Sequence, residues 1–354
     1  MLDETRVEQR LATKEEVLQT LTDNNVIAEF HIESLGEYCS VIDHITAIWR
    51  KKIAERQTQK KHPAPFYCGE LSPWFRGVSK ANYQPEPRLF RFYQRAVKDR
   101  YKGHINPLKI EETESYFFQR FKTFGTPFLK KEPKSDIEWH FLMRHHEVPS
   151  RLLDWSKGSF VALYFATRKS LESINDFQQY GTDIGQQKGK DAAVWMIEPR
   201  RLSEKCRNTR NICGSSNKEE SFRVIDRYFT TGETTEVSDP IYPLPIIPDL
   251  IAPRIQAHIG RFTLHVRQDA DRDFNSGGLM KFARDTHVED GLSYLVKIVI
   301  PHKCHFSISR SLRSTGITDM NFTQDLDGLS GELSLRMHLG RTDHNRFVDE
   351  LERE

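Results

Sequence analysis

Within eleven residues, 145 to 155, the chain sets two imidazoles (His145, His146), a guanidinium (Arg151), a carboxylate (Asp154) and an indole (Trp155), with the hydroxyl of Ser150 among them. Such groups are costly to bury unless each finds a partner, so the stretch is either a satisfied polar network or the mouth of a binding site. Two further segments could share that chemistry. Trp74-Phe75-Arg76-Gly77 places an arginine between aromatics and a glycine, with Arg88 and Arg91 close behind. A planar guanidinium in such a strand calls for an anion, a phosphate or an internal carboxylate such as Asp154. Gly77 permits a backbone or a ligand to come close. Later, Arg254, Gln256 and His258 stand together before an alternating stretch, Phe262, Leu264 and Val266.

The elements that must position these groups are legible from pattern. Ser135-Asp136-Ile137-Glu138 has the form of a capping box and opens a helix through Trp139, Leu142 and Met143 that delivers His145 at its end. Phe160/Tyr164 and Val161/Phe165 are spaced four apart, which predicts a buried helix capped by Ser156 or Ser159. A helix is expected from about 35 to 57, and another over 111–124 with Tyr116, Phe117, Phe121 and Phe124 as its core stripe. Strands are expected at 71–78, 192–197, 261–266 and 292–300, and residues 26–30 read as a short strand or a linker. Residues 200–218, rich in Arg and Lys, read as a mobile basic loop, and the prolines from Pro240 to Pro253 hold an extended segment. Together these predict an α+β fold: a small mixed sheet with flanking helices and a helical N-terminal extension. The expected division is an extension at 1–32, the domain at 33–340 and a charged tail at 341–354.

Composition narrows the classes. Over 354 residues, 29% charged and 37% hydrophobic side chains describe a globular chain, and a net charge of +2 argues against a general polyanion binder while leaving room for a local basic groove. A polar N-terminus and the lack of a ~20-residue apolar run predict a cytoplasmic protein with no membrane partner. Five cysteines without a CxxC predict reduced thiols and no metal site.

Three stretches together resemble the FRG domain family: Trp74-Phe75-Arg76-Gly77, then Pro149-Ser150-Arg151-Leu152-Leu153-Asp154-Trp155 with Ala162-Leu163-Tyr164-Phe165-Ala166, and Asp325-Leu326-Asp327-Gly328-Leu329. The resemblance spans roughly 33 to 335. Where that family usually shows glutamine and glycine, this chain has Arg144 and Glu147, and it has His258 where glutamine is usual. A second likeness concerns chemistry: Phe75-Arg76-Gly77 on a strand, followed by a polar turn with Ser150 feeding a helix that ends Tyr164-Phe165-Ala166, is similar to the opening half of the mono-ADP-ribosyltransferase fold.

That likeness implies transfer of ADP-ribose from NAD to a macromolecule, protein or nucleic acid, an activity suited to a toxin or a phage-defence effector. It implies that Arg76, Gly77, Ser150, Arg151, Asp154 and Trp155 bind NAD, with Arg76 on the diphosphate, Asp154 orienting Arg151 or a ribose, and Trp155 stacking on a base. His145, Gln256 and His258 would face the reacting sugar. No Q-x-E or E-x-E falls in a late strand, so the alternative is a module that binds a nucleotide or nucleic acid without turnover.

Overall fold

A computed structural model describes residues 11–59, 72–100, 107–129, 132–172, 190–214, 218–230, 242–248, 260–266, 277–318, 320, 329–330 and 333. The chain is α+β, ten helices among the described residues around one seven-stranded mixed sheet. Its strands are β1 (Ala28–His31), β2 (Trp74–Val78), β3 (Leu152–Ser156), β4 (Ala192–Ile197), β5 (Leu244–Ile246), β6 (Gly260–Leu264) and β7 (Leu295–Ile300), in the order β1-β7-β4-β2-β3-β6-β5. Only the edge pair β1–β7 is parallel; the other neighbours run antiparallel. All six residues of β4 are buried, as their continuous apolar run requires of a central strand covered on both faces. The expected strands at 71–78, 192–197, 261–266 and 292–300 correspond to β2, β4, β6 and β7.

The helices are α1 (Lys14–Thr22), α2 (Leu35–Gln59), α3 (Arg88–Arg100), α4 (Pro107–Gly125), α5 (Asp136–His145), α6 (Ser159–Glu172), α7 (Pro199–Arg207), α8 (Lys218–Thr230), α9 (Gly278–Asp290) and α10 (His305–Ser314). A capping box starts α1: the Thr13 side chain accepts from Glu16 N (3.2 Å), and the Glu16 side chain accepts from Thr13 N (2.9 Å). Helix α6 lies on β2 and β4, and α10 lies on α6. Two cores result. The larger joins α1, α2, α6, α9 and α10 to β1, β7, β4 and β2; a smaller one packs Ile137 and Phe141 of α5 and Ile225 and Tyr228 of α8 onto Leu152, Phe262, Leu264, Leu244 and Ile246.

Three local expectations are corrected. The Ser135/Glu138 capping box does not form: Glu138 accepts instead from Lys134 N at 2.6 Å, and Ser135 makes no side-chain cap. Residues 199–207 are helix α7, not loop, because Arg201 is buried in a network with Glu204 (3.3 Å), Asp290 (3.1 Å) and Glu289. On α4 the buried stripe is Ile110, Glu114 and Phe118, whereas Tyr116 and Phe124 are exposed and flank Arg120. Of the stretch Asp325-Leu326-Asp327-Gly328-Leu329, residues 325–328 lie outside the described residues.

Candidate anion-binding site at a seam in the sheet

Strand β2 pairs with β4 over five residues but with β3 only through Phe75↔Ser156. Beyond that pair the two halves of the sheet part, and a guanidinium fills the seam. Arg76 Nη1 donates to the backbone carbonyl of Asp154 (2.8 Å) and to its Oδ2 (2.7 Å). From the last turn of α5, Arg144 Nε donates to Asp154 Oδ1 at 2.8 Å, and its Nη2 reaches the same oxygen. Burial first, and then the nearby Arg76 and Arg144, disfavour the charge of Arg91 on α3, with Glu86 and Asp154 on the favourable side. Arg76 and Arg144 are bonded to Asp154, and Arg91 stands near them and near Glu86: three positive charges against two negative, an excess of one.

The electrostatics follow from that excess. Burial pushes the Asp154 carboxyl up, but Arg144 and Arg76 outweigh it and hold it well below the usual carboxylate range. Its side chain is still 46% exposed, while Arg76 and Arg144 are 13% and 14% exposed, so the carboxylate marks the open side of the cluster. The Nε–H groups of Arg76 and Arg91 are buried and find no acceptor among the described residues. Buried donors of this kind are rare in folded proteins, and a phosphate or carboxylate oxygen would satisfy them.

The remaining candidates are dispersed. Gly77 faces α6, where an added Cβ would stand 1.9 Å from the Ala162 carbonyl oxygen; its close approach is to backbone. Arg151 is fully buried, with Nε on Glu114 Oε2 (2.7 Å), Nη1 on the carbonyls of Tyr228 (3.0 Å) and His265 (3.1 Å), and its plane over Phe229. Ser150 is buried, its carbonyl accepting from Leu89 N. Trp155 is 3% exposed and donates to Thr263 Oγ1 (3.0 Å), which meets His265 Nε2 (3.1 Å), so it offers no face for stacking a base. His145 is half-buried at the end of α5, edge-on to His146; its neighbour Arg144 is the residue that reaches Asp154. Gln256 and His258 lie outside the described residues. Among the described residues no group of three or more His, Cys, Asp or Glu could hold a metal ion, and no helix is long and apolar enough to cross a membrane.

Residues 72–174 match the model of the FRG domain. The chain carries an FRG domain. No curated protein and no solved structure matches it. The matched stretch runs from β2 through α6 and contains Arg76, Arg91, Arg144 and Asp154 together. Glu147 has φ +60°, the left-handed conformation that favours glycine, which accounts for the glycine usual at this place in the resemblance. Here Glu147 is held by Arg88, whose Nη1 donates to its carbonyl (2.7 Å) and to Oε2 (3.1 Å).

Two histidines beside the FRG domain's arginines are neutral. Burial, with Arg151 and Arg76 adding to it, lowers His265 to about 3; burial lowers His140 to about 4, partly offset by Glu114. Both values lie below the ordinary 6.5, so the stability these rings contribute is complete above about pH 6.5 and is lost as pH falls toward the folded values. In an NMR titration neither ring is expected to protonate above about pH 5; a midpoint near the ordinary value for either would show it to be open to water.

Sequence reasoning singled out Arg76, Asp154 and, as a trailing arginine, Arg91. It passed over Arg144 as a ligand of Asp154, and over Glu114 and His140. The signal for Arg144 was its place in the last turn of α5, ten residues before Asp154.

Proposed function

We propose that the FRG domain binds a nucleotide diphosphate at the Arg76–Arg91–Arg144 cluster, that the nucleotide is NAD, and that bound NAD donates ADP-ribose to a protein or nucleic-acid acceptor. The binding half is supported by one observation above all: three guanidiniums around a half-open carboxylate, two of them with buried, unpartnered Nε–H groups. A diphosphate supplies the acceptor oxygens these donors lack. The transfer half rests on the sequence likeness, with Asp154 placed to accept from a ribose hydroxyl on the exposed side. In the reaction the glycosidic bond to nicotinamide breaks and the acceptor's nucleophile bonds to the ribose carbon. Nicotinamide leaves, and the acceptor releases a proton.

Calorimetric titration with NAD and ADP, beside an assay for released nicotinamide, tests both halves. Arg76→Lys and Arg91→Lys keep the charge but lose the planar fork, and each is expected to weaken NAD at least about tenfold, roughly 1.4 kcal/mol, with an unchanged circular dichroism spectrum. Arg91 makes no bond to Asp154 that holds the seam, so its variant separates binding from folding. A wild-type protein that binds neither NAD nor ADP sinks the nucleotide reading. NAD binding without nicotinamide release in the presence of cell-extract acceptors leaves a binding module and removes the transferase.

A further inference from the structure

A cavity whose lining includes none of the seam's arginines lies between α4, α5 and α8, with a volume of about 600 Å³. Three buried polar atoms belong to residues that line it and find no partner among the described residues: Glu114 Oε1, His140 Nδ1 and Ser135 Oγ. Glu114 and His140 are 4% and 6% exposed. Each has a reason to be held there without being satisfied. Glu114 is fixed through its other oxygen by Arg151 at 2.7 Å. The His140 ring is clamped parallel between Phe118 (4.6 Å between centroids) and Phe229 (4.5 Å). Ser135 stands at the N-cap of α5, where its hydroxyl would ordinarily bond the first turn, yet it makes no such bond. Three buried polar groups left without partners at one cavity are uncommon in a folded protein and call for an explanation, which a ligand would supply.

We propose that this cavity is a second ligand site, taking a small planar molecule that presents N–H donors, such as an amidine or an amino-substituted heterocycle. The direction of the hydrogen bonds decides the class. A carboxylate can only accept, so Glu114 Oε1 requires a donor; a neutral imidazole and a hydroxyl can each serve as the complementary partner. A volume of about 600 Å³ suits a small organic ligand. An acceptor-only molecule of the same shape would leave Glu114 Oε1 without a donor, and an anion would add the repulsion of a like charge. The site does not depend on NAD binding at the seam.

Benzamidine and its isosteric anion benzoate are the probes, titrated into the full chain at millimolar concentration while the ring resonances of His140 are followed by NMR. Benzamidine is expected to shift them saturably and benzoate not. Ser115→Trp with Gln119→Trp fills the mouth from two exposed positions one turn apart on α4 and leaves the core untouched; it should weaken benzamidine at least about tenfold. Glu114→Gln should do the same where it folds, and the mouth variant decides the matter where it does not. No saturable shift, equal binding of the two probes, or binding that survives the blocked mouth would each overturn the proposal.

Discussion

Arg151→Met is expected to cost about 3–5 kcal/mol of folding stability, as broken buried ion pairs do. The guanidinium is 0% exposed and its partner Glu114 is 4% exposed, so removing it strands a carboxylate in the interior. The carbonyls of Tyr228 and His265 lose their donor as well. The arginine ties α4, α8 and the end of β6 to the start of β3, and the damage should therefore appear as a lower urea midpoint for the whole fold. Arg151→Met with Glu114→Leu is the informative companion, because replacing both members by apolar residues is often neutral and should recover most of the loss. A single-variant loss under about 1 kcal/mol would place the pair in a solvent-like setting, and Arg151 would return to the pool of ligand-binding candidates.

In the sequence Arg76 and Arg151 look alike: each is an arginine at the edge of an apolar run. What separates them is the partner, and the partner is distant. Glu114 lies 37 residues before Arg151, while Asp154 lies 78 after Arg76. Strands β4 and β7 were legible because apolar runs declare themselves locally. Strand β3 was not, since Asp154 interrupts its five residues and the polar stretch before it reads as a turn. The same limit hid helix α7: its arginines look solvated until Glu289 and Asp290, 88 and 89 positions from Arg201, close over them. Ser135 failed for the opposite reason. The capping box is a local pattern, and a tertiary setting that turns the hydroxyl elsewhere is invisible in four residues. The seam itself follows from pairing and not from composition, so the sequence could suggest that Arg76 meets an anion but not that the sheet opens beside it.

Gly77→Ala is expected to destabilise the fold by about 3 kcal/mol or more, at or beyond the upper end of ordinary overpacking. A Cβ at this position would stand 1.9 Å from the Ala162 carbonyl oxygen and 2.8 Å from the Ala166 nitrogen. Both are backbone atoms of α6, with no side-chain rotation to relieve the contact, so the helix must move off β2. That movement would also reach the seam, because Arg76 is the adjacent residue and β3 runs directly into α6. NAD affinity should therefore fall together with stability, unlike in Arg91→Lys, where affinity alone should change. Gly36→Ala supplies the control: its nearest neighbours are 3.8 Å away, and in the first turn of α2 alanine should be neutral or stabilise by up to about 1 kcal/mol. Chemical denaturation of the two variants checks the pair. A Gly77→Ala protein within about 1 kcal/mol of wild type would mean that α6 yields to a methyl group at little cost, and the close packing of α6 on β2 would not be what fixes the cluster's geometry.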